Sequence, residues 1–421
     1  MLKIILQRLK QKSEDILSEE QAGFRPGRST AEQIFNIRIL IEKCLQHQQE
    51  LYHNFIDFKK AFDRVWHEGL WHTMRQYNFD EDLIQVIESL YKSAKSAVLL
   101  GGELGEYFLT TVGVRQGCIL SPVLFNIFLE NIMQDALLNF DSTVSIGGRK
   151  LCNLRFADDI DLIGRTEKEL QDLTSRLEKS ASAYGMEISS EKSKILVNSD
   201  VQTKATNIIM NGEKLEEVKE FKYLGAIINN EGTTTKEVKT RLAIALSSMA
   251  RLTNIWKSRE IGTRTKIKLY KTLVTSIATY GCESWTLTAE TERRIQAFEM
   301  KCFRRILNIS YKEHKTNEYV WDQITEHAGK QEPLLITIKK RKLKWFGHVT
   351  RHSSLSKTIL QGTVEGGRKR GRQRKLWTDN IKQWTQMDMP TLLNAAQNRM
   401  GWRNLCSSLS TGSPTINARD R

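Results

Sequence analysis

Apolar residues recur three and four positions apart from Ile34 through Ile37 and Ile41 to Leu45, directly after Ser29 and Glu32, whose spacing is that of a capping box. A helix is therefore predicted over about 30–48. The period then changes. From Tyr52 to Phe58 strand formers follow one another up to Asp57, and Lys59 to Trp66 reads as a turn entering a helix. Leu83, Ile84, Ile87, Leu90 and Tyr91 restore helical spacing, GGELGE reads as a hairpin tip, and Ser121 with Pro122 opens a helix to about Leu138. Gly147 and Gly148 separate two strand-like runs. A second turn falls at Ala157, Asp158 and Asp159 before Ile160 to Ile163 resumes the strand pattern, giving a hairpin with two acids at its bend. Thr166 and Glu169 cap a helix ending near Gly185, and short strands through NIIMNGEKL and EFKYLGAIIN close an α+β unit near residue 230. From Thr235 to Ile309 the pattern is wholly helical, with Leu242, Leu246 and Met249, then Leu269, Leu273 and Ile277, on successive faces. Beyond Pro333 runs a basic tail, densest in EGGRKRGRQRKLW, with Trp345, Trp377, Trp384 and Trp402 nearby.

Composition narrows the partners. The 421 residues are 40% hydrophobic, enough to bury a core in two or three packed units. Lysine and arginine outnumber aspartate and glutamate 64 to 49, a formal charge of +15 that favours a polyanion. No apolar run approaches the roughly 20 residues that span a bilayer, and the opening MLKIILQRLKQKSEDILSEE turns charged too early for a secretory signal. An intracellular protein with no membrane partner is expected. The cysteines, Cys44, Cys118, Cys152, Cys282, Cys302 and Cys406, are scattered and read as reduced thiols. A zinc site from Cys282, Cys302 and His314 has irregular spacing and is set aside.

Asp57, Asp158 and Asp159 are far apart in sequence, yet each ends or turns an apolar strand, where neighbouring strands would bring them together. Clustered carboxylates repel unless cations lie between them. Carboxylate oxygens suit magnesium, and two such ions about 3.5–4 Å apart activate a hydroxyl and stabilise a departing phosphate oxygen. A lone aspartate at a strand end more often only caps a turn. Arg25 and Arg28 flank Pro26 and Gly27, so a rigid loop would present two guanidiniums suited to bidentate triphosphate contact, against the alternative of a solvated basic loop.

The surroundings of these acids carry a resemblance. FIDFKKAFDRVW around Asp57, GVRQGCILSPVLFNIFLENI at 113–132, LRFADDIDLIG around the acidic pair, GMEISSEKSKILV at 185–197 and FKYLGAII at 221–228 resemble, in this order, the polymerase motifs of reverse transcriptases. AGFRPGRSTAEQIF at 22–35 is similar to a fingers segment of non-LTR retrotransposon enzymes, and six ordered matches are far more specific than any lone motif. RKLKWFGHVTR and GRKRGRQRKLW are similar to the C-terminal region of animal endonuclease-reverse transcriptases of the jockey and related long interspersed types. The resemblance implies that Asp57 ligates both metals with help from the Phe58 carbonyl, that Asp158 is the second essential ligand, and that Asp159 supports them. Asp63 would orient its turn. Phe62 falls where the family has an aromatic that collides with a ribose 2′-hydroxyl, although its spacing also suits a core aromatic. Gln116 and Gly117 occupy the turn where the family's backbone approaches nucleotide and template. Lys192, with Lys194 as alternative, would protonate or neutralise the departing pyrophosphate.

The implied fold is α+β: a right-hand polymerase palm, an antiparallel sheet with helices, with partial fingers over 1–230, a helical thumb-like domain over 231–330, and a basic nucleic-acid-binding region over 331–421. Two Mg2+ ions, with Mn2+ as substitute, deoxynucleotides, an RNA template and a DNA primer or target are the expected cofactors and partners. The nucleus is the expected place of action on chromosomal DNA. Only about twenty residues precede AGFRPGRS and no endonuclease domain is present, which reads as an N-terminally truncated copy. Arg368, Lys369, Arg370, Arg372, Arg374 and Lys375 are candidate nucleic-acid contacts, with a nuclear-import signal as the competing reading. A non-catalytic nucleic-acid-binding remnant is the rival function. An RNA-dependent RNA polymerase shares the metal chemistry but disfavours bulk at Phe62.

Overall fold

The computed structural model describes residues 1–92, 94–199, 205–367, 371 and 373–409. They form two compact units: residues 1–224, 229–231 and the stretch beginning at 361, and residues 225–228, 232–360 and the described part of 370–421.

The first unit is built on a five-stranded sheet of β1 (Leu51–Ile56), β2 (Asn153–Phe156), β3 (Asp159–Gly164), β4 (Lys194–Asn198) and β5 (Glu216–Glu217). Their order is β5-β4-β1-β3-β2, antiparallel except where β5 joins β4. Every residue of β1 is buried, as expected of a central strand covered on both faces. Side chains alternate along it. Asn54 donates to Thr174 Oγ1 at 2.9 Å, tying β1 to the helix Glu167–Ala183, while Phe55 on the other face stacks on Phe221 at 4.2 Å. The helix Ser121–Leu137, with proline in its first turn, packs on Glu167–Ala183 and buries Leu124, Phe125, Ile127 and Phe128 completely. The predicted caps form: Thr166 Oγ1 accepts from the Glu169 N–H and Ser29 Oγ from the Glu32 N–H, the latter opening Thr30–Gln46. GGELGE is a hairpin tip, with Leu99 and Leu100 paired to Leu104 and Glu103.

The stretch beginning at 361 joins this unit through its carbonyls. Thr363 O accepts from the Gly147 N–H at 2.9 Å, Glu365 O from Gln49 Nε2 at 3.1 Å, and Gly362 O from Lys43 Nζ.

The second unit is helical. Helices Thr235–Arg251, Ala289–Leu307, Asn317–Ala328 and Leu334–Arg351 surround Trp256, Tyr270, Trp285 and Phe303. The sequence reading set a boundary at 330/331, but Leu334, Leu335 and Ile338 share that core, and Trp377 and Trp402 are also buried. Buried Lys342 donates to Trp285 O at 2.7 Å and Asn380 Oδ1 at 2.8 Å. Much of what reads as basic tail is therefore folded helix. Of the dense basic run, Arg368, Lys369, Arg370 and Arg372 lie outside the described residues, while Arg374 and Lys375 are exposed. Among the described residues no helix is long and apolar enough to cross a membrane. All six cysteines are free thiols.

Candidate active site

The antiparallel pairing of β1 with β3 ends at Ile56 opposite Ile160, so Asp57 sits one step beyond, level with Asp159. The β2–β3 hairpin closes with Phe156 opposite Asp159, leaving Ala157 and Asp158 as a two-residue turn. Three carboxyls separated in sequence thus meet at one end of adjacent strands. Their electrostatics register the meeting. Burial pushes the Asp158 carboxyl above its ordinary value, with the Asp57 charge adding to the rise. Burial, then the Asp158 and Asp57 charges, push Asp159 up to about 6. Asp57 Oδ1 is shut off from water without a hydrogen-bond partner, and its ion-pair neighbour Lys192 lies 3.7 Å away. A buried carboxyl oxygen with no hydrogen-bond partner, beside two carboxyls whose charge burial disfavours, is a donor set for a hard cation. Among the described residues no three His, Cys, Asp or Glu side chains already converge as a cage, so gathering these three round a cation requires side-chain rotation.

The segment 187–193 holds Asp57 by its backbone. The Asp57 N–H donates to Ser193 Oγ at 3.2 Å, and Asp57 O accepts from the Ser189 N–H at 2.8 Å. Phe58 bridges Ile188, but the bonds of that bridge are made by Asp57 and Lys59, which leaves the Phe58 carbonyl outside the pairing. Lys192 is exposed beside Asp57, whereas Lys194 pairs with Glu216 at 2.9 Å.

The turn at Asp158 is held from the other side. Ala157 has φ +57°, a left-handed conformation where glycine is the ordinary occupant. Gln21 Oε1 accepts from the Ala157 N–H at 2.9 Å and the Gly23 N–H at 2.8 Å, while Gln21 Nε2 donates to Ala157 O at 3.4 Å. A Cβ on Gly23 would lie 2.2 Å from Ala157 N, so only glycine permits this approach.

Other sequence candidates are placed as follows. Phe62 is half-buried, stacked on Phe125 at 4.5 Å and edge-on to Phe24 at 6.4 Å. Gln116 and Gly117 are exposed in the turn before Ser121–Leu137; Gln116 Nε2 donates to Asp63 Oδ1 at 3.3 Å, and Gly117 has φ +84° with nothing near its missing Cβ. The arginines are not on an open loop. The Arg25 side chain is 7% exposed, paired with Glu14 at 2.9 Å, and donates to the carbonyls of Leu17, Ser18 and Gln21. Arg28 pairs with Glu32 at 2.8 Å and Glu19 at 3.7 Å. Lys375 donates to Gln383 Oε1 at 3.0 Å.

Sequence reasoning missed the support beneath the acids. His53 of β1 and Asp161 of β3 are fully buried and paired at 2.9 Å. Burial raises the Asp161 carboxyl, and His53 opposes the rise. Tyr223, also buried, is raised well above its usual value by burial and by the charges of Asp161 and Asp159. A polar His and Asp inside apolar strands were the available signal.

Residues 1–228 match the family described as reverse transcriptase (RNA-dependent DNA polymerase). A relative named for the RNA-directed DNA polymerase of the transposon X-element of Drosophila melanogaster is 25% identical over 76% of this chain and 36% of its own. The RNA-directed DNA polymerase from mobile element jockey of Drosophila funebris is 23% identical over 68% of this chain and 31% of its own. The chain spans about a third of the length of these two relatives. A solved apo telomerase from Candida tropicalis, truncated from its C-terminal domain, shares 18% identity over 54% of this chain and 44% of that one, with a TM-score of 0.42.

Proposed function

This chain belongs to the reverse transcriptase (RNA-dependent DNA polymerase) family, and from that premise we propose that its first unit synthesises DNA on an RNA template from deoxynucleotides, as part of a non-LTR retrotransposon. The observation that carries the reading is that adjacent strands place Asp57, Asp158 and Asp159 at one end of β1 and β3, with two of their carboxyls raised by burial and neighbouring charge.

In this reading Asp57, Asp158 and the Phe58 carbonyl hold two Mg2+ ions, with Asp159 supporting. When bound, those ions supply the positive charge that activates a primer 3′-hydroxyl and offsets charge on the departing pyrophosphate. The protein's own part is mostly positioning. The backbone bonds from Ser189 and Ser193 fix Asp57, and exposed Lys192 meets the pyrophosphate as proton donor or counter-charge. Gly117, free of any neighbour at its Cβ position, lets template and nucleotide approach the backbone. Phe62, propped on Phe125, excludes a 2′-hydroxyl. Arg25 reads as a clamp on its own loop, while Arg28 would have to exchange its glutamate partners for a triphosphate. The first unit corresponds to palm and fingers and the helices after 231 to a thumb; the run from Arg368 to Lys375 grips nucleic acid. Action on chromosomal DNA places the reaction in the nucleus.

Extension of an oligo-dT primer on poly-rA with Mg2+ and labelled dTTP tests this directly. A ladder that disappears with Asp158→Asn supports it. A correctly folded chain that never extends the primer overturns it.

A further inference from the structure

We propose that Gln21 is a positioning residue for the hairpin's first acid, its carboxamide locking the Ala157 peptide in the left-handed turn that aims Asp158. The inference rests on Asp158 being a metal ligand. Two backbone N–H groups, of Ala157 and Gly23, converge on Gln21 Oε1 at 2.9 and 2.8 Å, which fixes the orientation of the amide and turns Nε2 toward Ala157 O. Both faces of the residue before Asp158 are thereby held by one side chain. Gln21 is 1% exposed, so losing its carboxamide strips the buried Ala157 and Gly23 N–H groups of that partner. Its own backbone is anchored too. Arg155 N–H donates to Glu20 O at 3.0 Å, Ala22 N–H to Arg155 O at 2.9 Å, and Gln33 Nε2 to Glu20 O at 2.8 Å and Arg155 O at 3.1 Å. Asn126 Nδ2 holds Gly23 O at 2.7 Å. The segment 20–23 is thus a rigid ledge beside β2, and Gln21 is the part of it that reaches the turn. Ala157 carries a Cβ that disfavours its conformation, so the turn depends on an outside hold.

The test uses the full chain in complex with template and a primer lacking its 3′-hydroxyl, with free Mn2+ followed by electron paramagnetic resonance; extension against Mg2+ concentration is measured in parallel. Gln21→Met, apolar and of similar size, and Gln21→Asn, which keeps a carboxamide but falls one methylene short, are each expected to weaken Mn2+ binding by about 10-fold. The Mg2+ needed for half-maximal extension should rise by a similar factor, with template affinity unchanged. A residue that only filled the core would lower thermal stability and the active fraction without moving that Mg2+ requirement. Adding Ala157→Gly to Gln21→Met should recover part of the Mn2+ affinity, because glycine adopts positive φ without help. If Gln21→Met does not fold, Gln21→Asn is read on the same assays. Wild-type Mn2+ affinity and Mg2+ requirement in the folded variant overturn the role of Gln21 alone. A folded wild type that neither binds Mn2+ nor extends a primer overturns the functional reading, and this inference with it.

Discussion

Replacing Asp57 or Asp158 by asparagine removes a charge while keeping side-chain volume, so the sheet end should fold as before while a metal site is lost. Primer extension is expected to fall by at least about a hundredfold with template binding nearly intact, and activity within a few-fold of wild type would refute the ligand assignment. Asp159→Asn should be milder. Phe62→Val shortens the ring that rests on Phe125 and should raise ribonucleotide relative to deoxynucleotide incorporation by roughly 10-fold; an unchanged ratio in a competition assay would return Phe62 to a packing role. At this scale the sequence is informative where chemistry and local pattern coincide. Acids closing apolar strands stand out at Asp57, Asp158 and Asp159. Arg25 misleads because a positive charge does not say whether its partner is a phosphate or, as here, a carboxylate and three carbonyls of its own neighbourhood. Gln21 is silent because its partner is a peptide group 136 positions away.

Helix Leu334–Arg351 contains Gly347 in its interior, an arrangement that costs about 1 kcal/mol relative to alanine by propensity. A Cβ at Gly347 would lie 2.4 Å from Trp402 Nε1, whose N–H donates to Leu343 O at 2.9 Å. Gly347→Ala is therefore expected to destabilise the second unit by about 1–3 kcal/mol despite the better propensity, as read by urea unfolding; a stabilised variant would show that the indole yields freely. The RKLKWFGHVTR stretch thus records packing. Neighbouring helix Ala289–Leu307 supplies Glu299, whose carboxylate accepts the Leu334 N–H at 3.0 Å while burial pushes it from 4.5 up to about 7. A raised carboxyl favours the protonated folded state, so its stabilisation is complete below pH 4.5 and is lost as pH rises through about 7. Relative to Glu299→Gln, wild type should lose on the order of 3 kcal/mol across that window; parallel stability profiles for the two proteins would contradict it. Periodicity located most elements well, as the helix expected over 30–48 and found at Thr30–Gln46 illustrates. Lys59 to Trp66, read as a turn entering a helix, is a turn that includes the 3-10 segment Ala61–Arg64 and leads into the helix His67–Gln76. The basic tail was misjudged because lysines such as Lys342, buried through a bond to a backbone carbonyl, look in sequence like solvated ones.

For the whole molecule the net charge of +15 favours a polyanion, and the response of such binding to salt follows the number of phosphates engaged. Replacing Arg368, Lys369, Arg370, Arg372, Arg374 and Lys375 by glutamine should weaken template–primer binding at low salt and flatten log affinity against log salt by about 0.9 for each residue engaged on duplex. Turnover of bound primer should persist. An unaltered slope with reduced nuclear accumulation would make the run an import signal instead. The change from mixed to helical pattern near residue 230 was legible, since strand alternation simply stops. The return of the chain at 361 was not, because Gly362, Thr363 and Glu365 join the first unit through main-chain carbonyls that leave no mark on residue type. That return bears on biosynthesis. A ribosome releases residues 1–231 long before Thr363 emerges, so during translation the nascent first unit waits with the Gly147 amide and Gln49 lacking their native acceptors until all the intervening helices have been made.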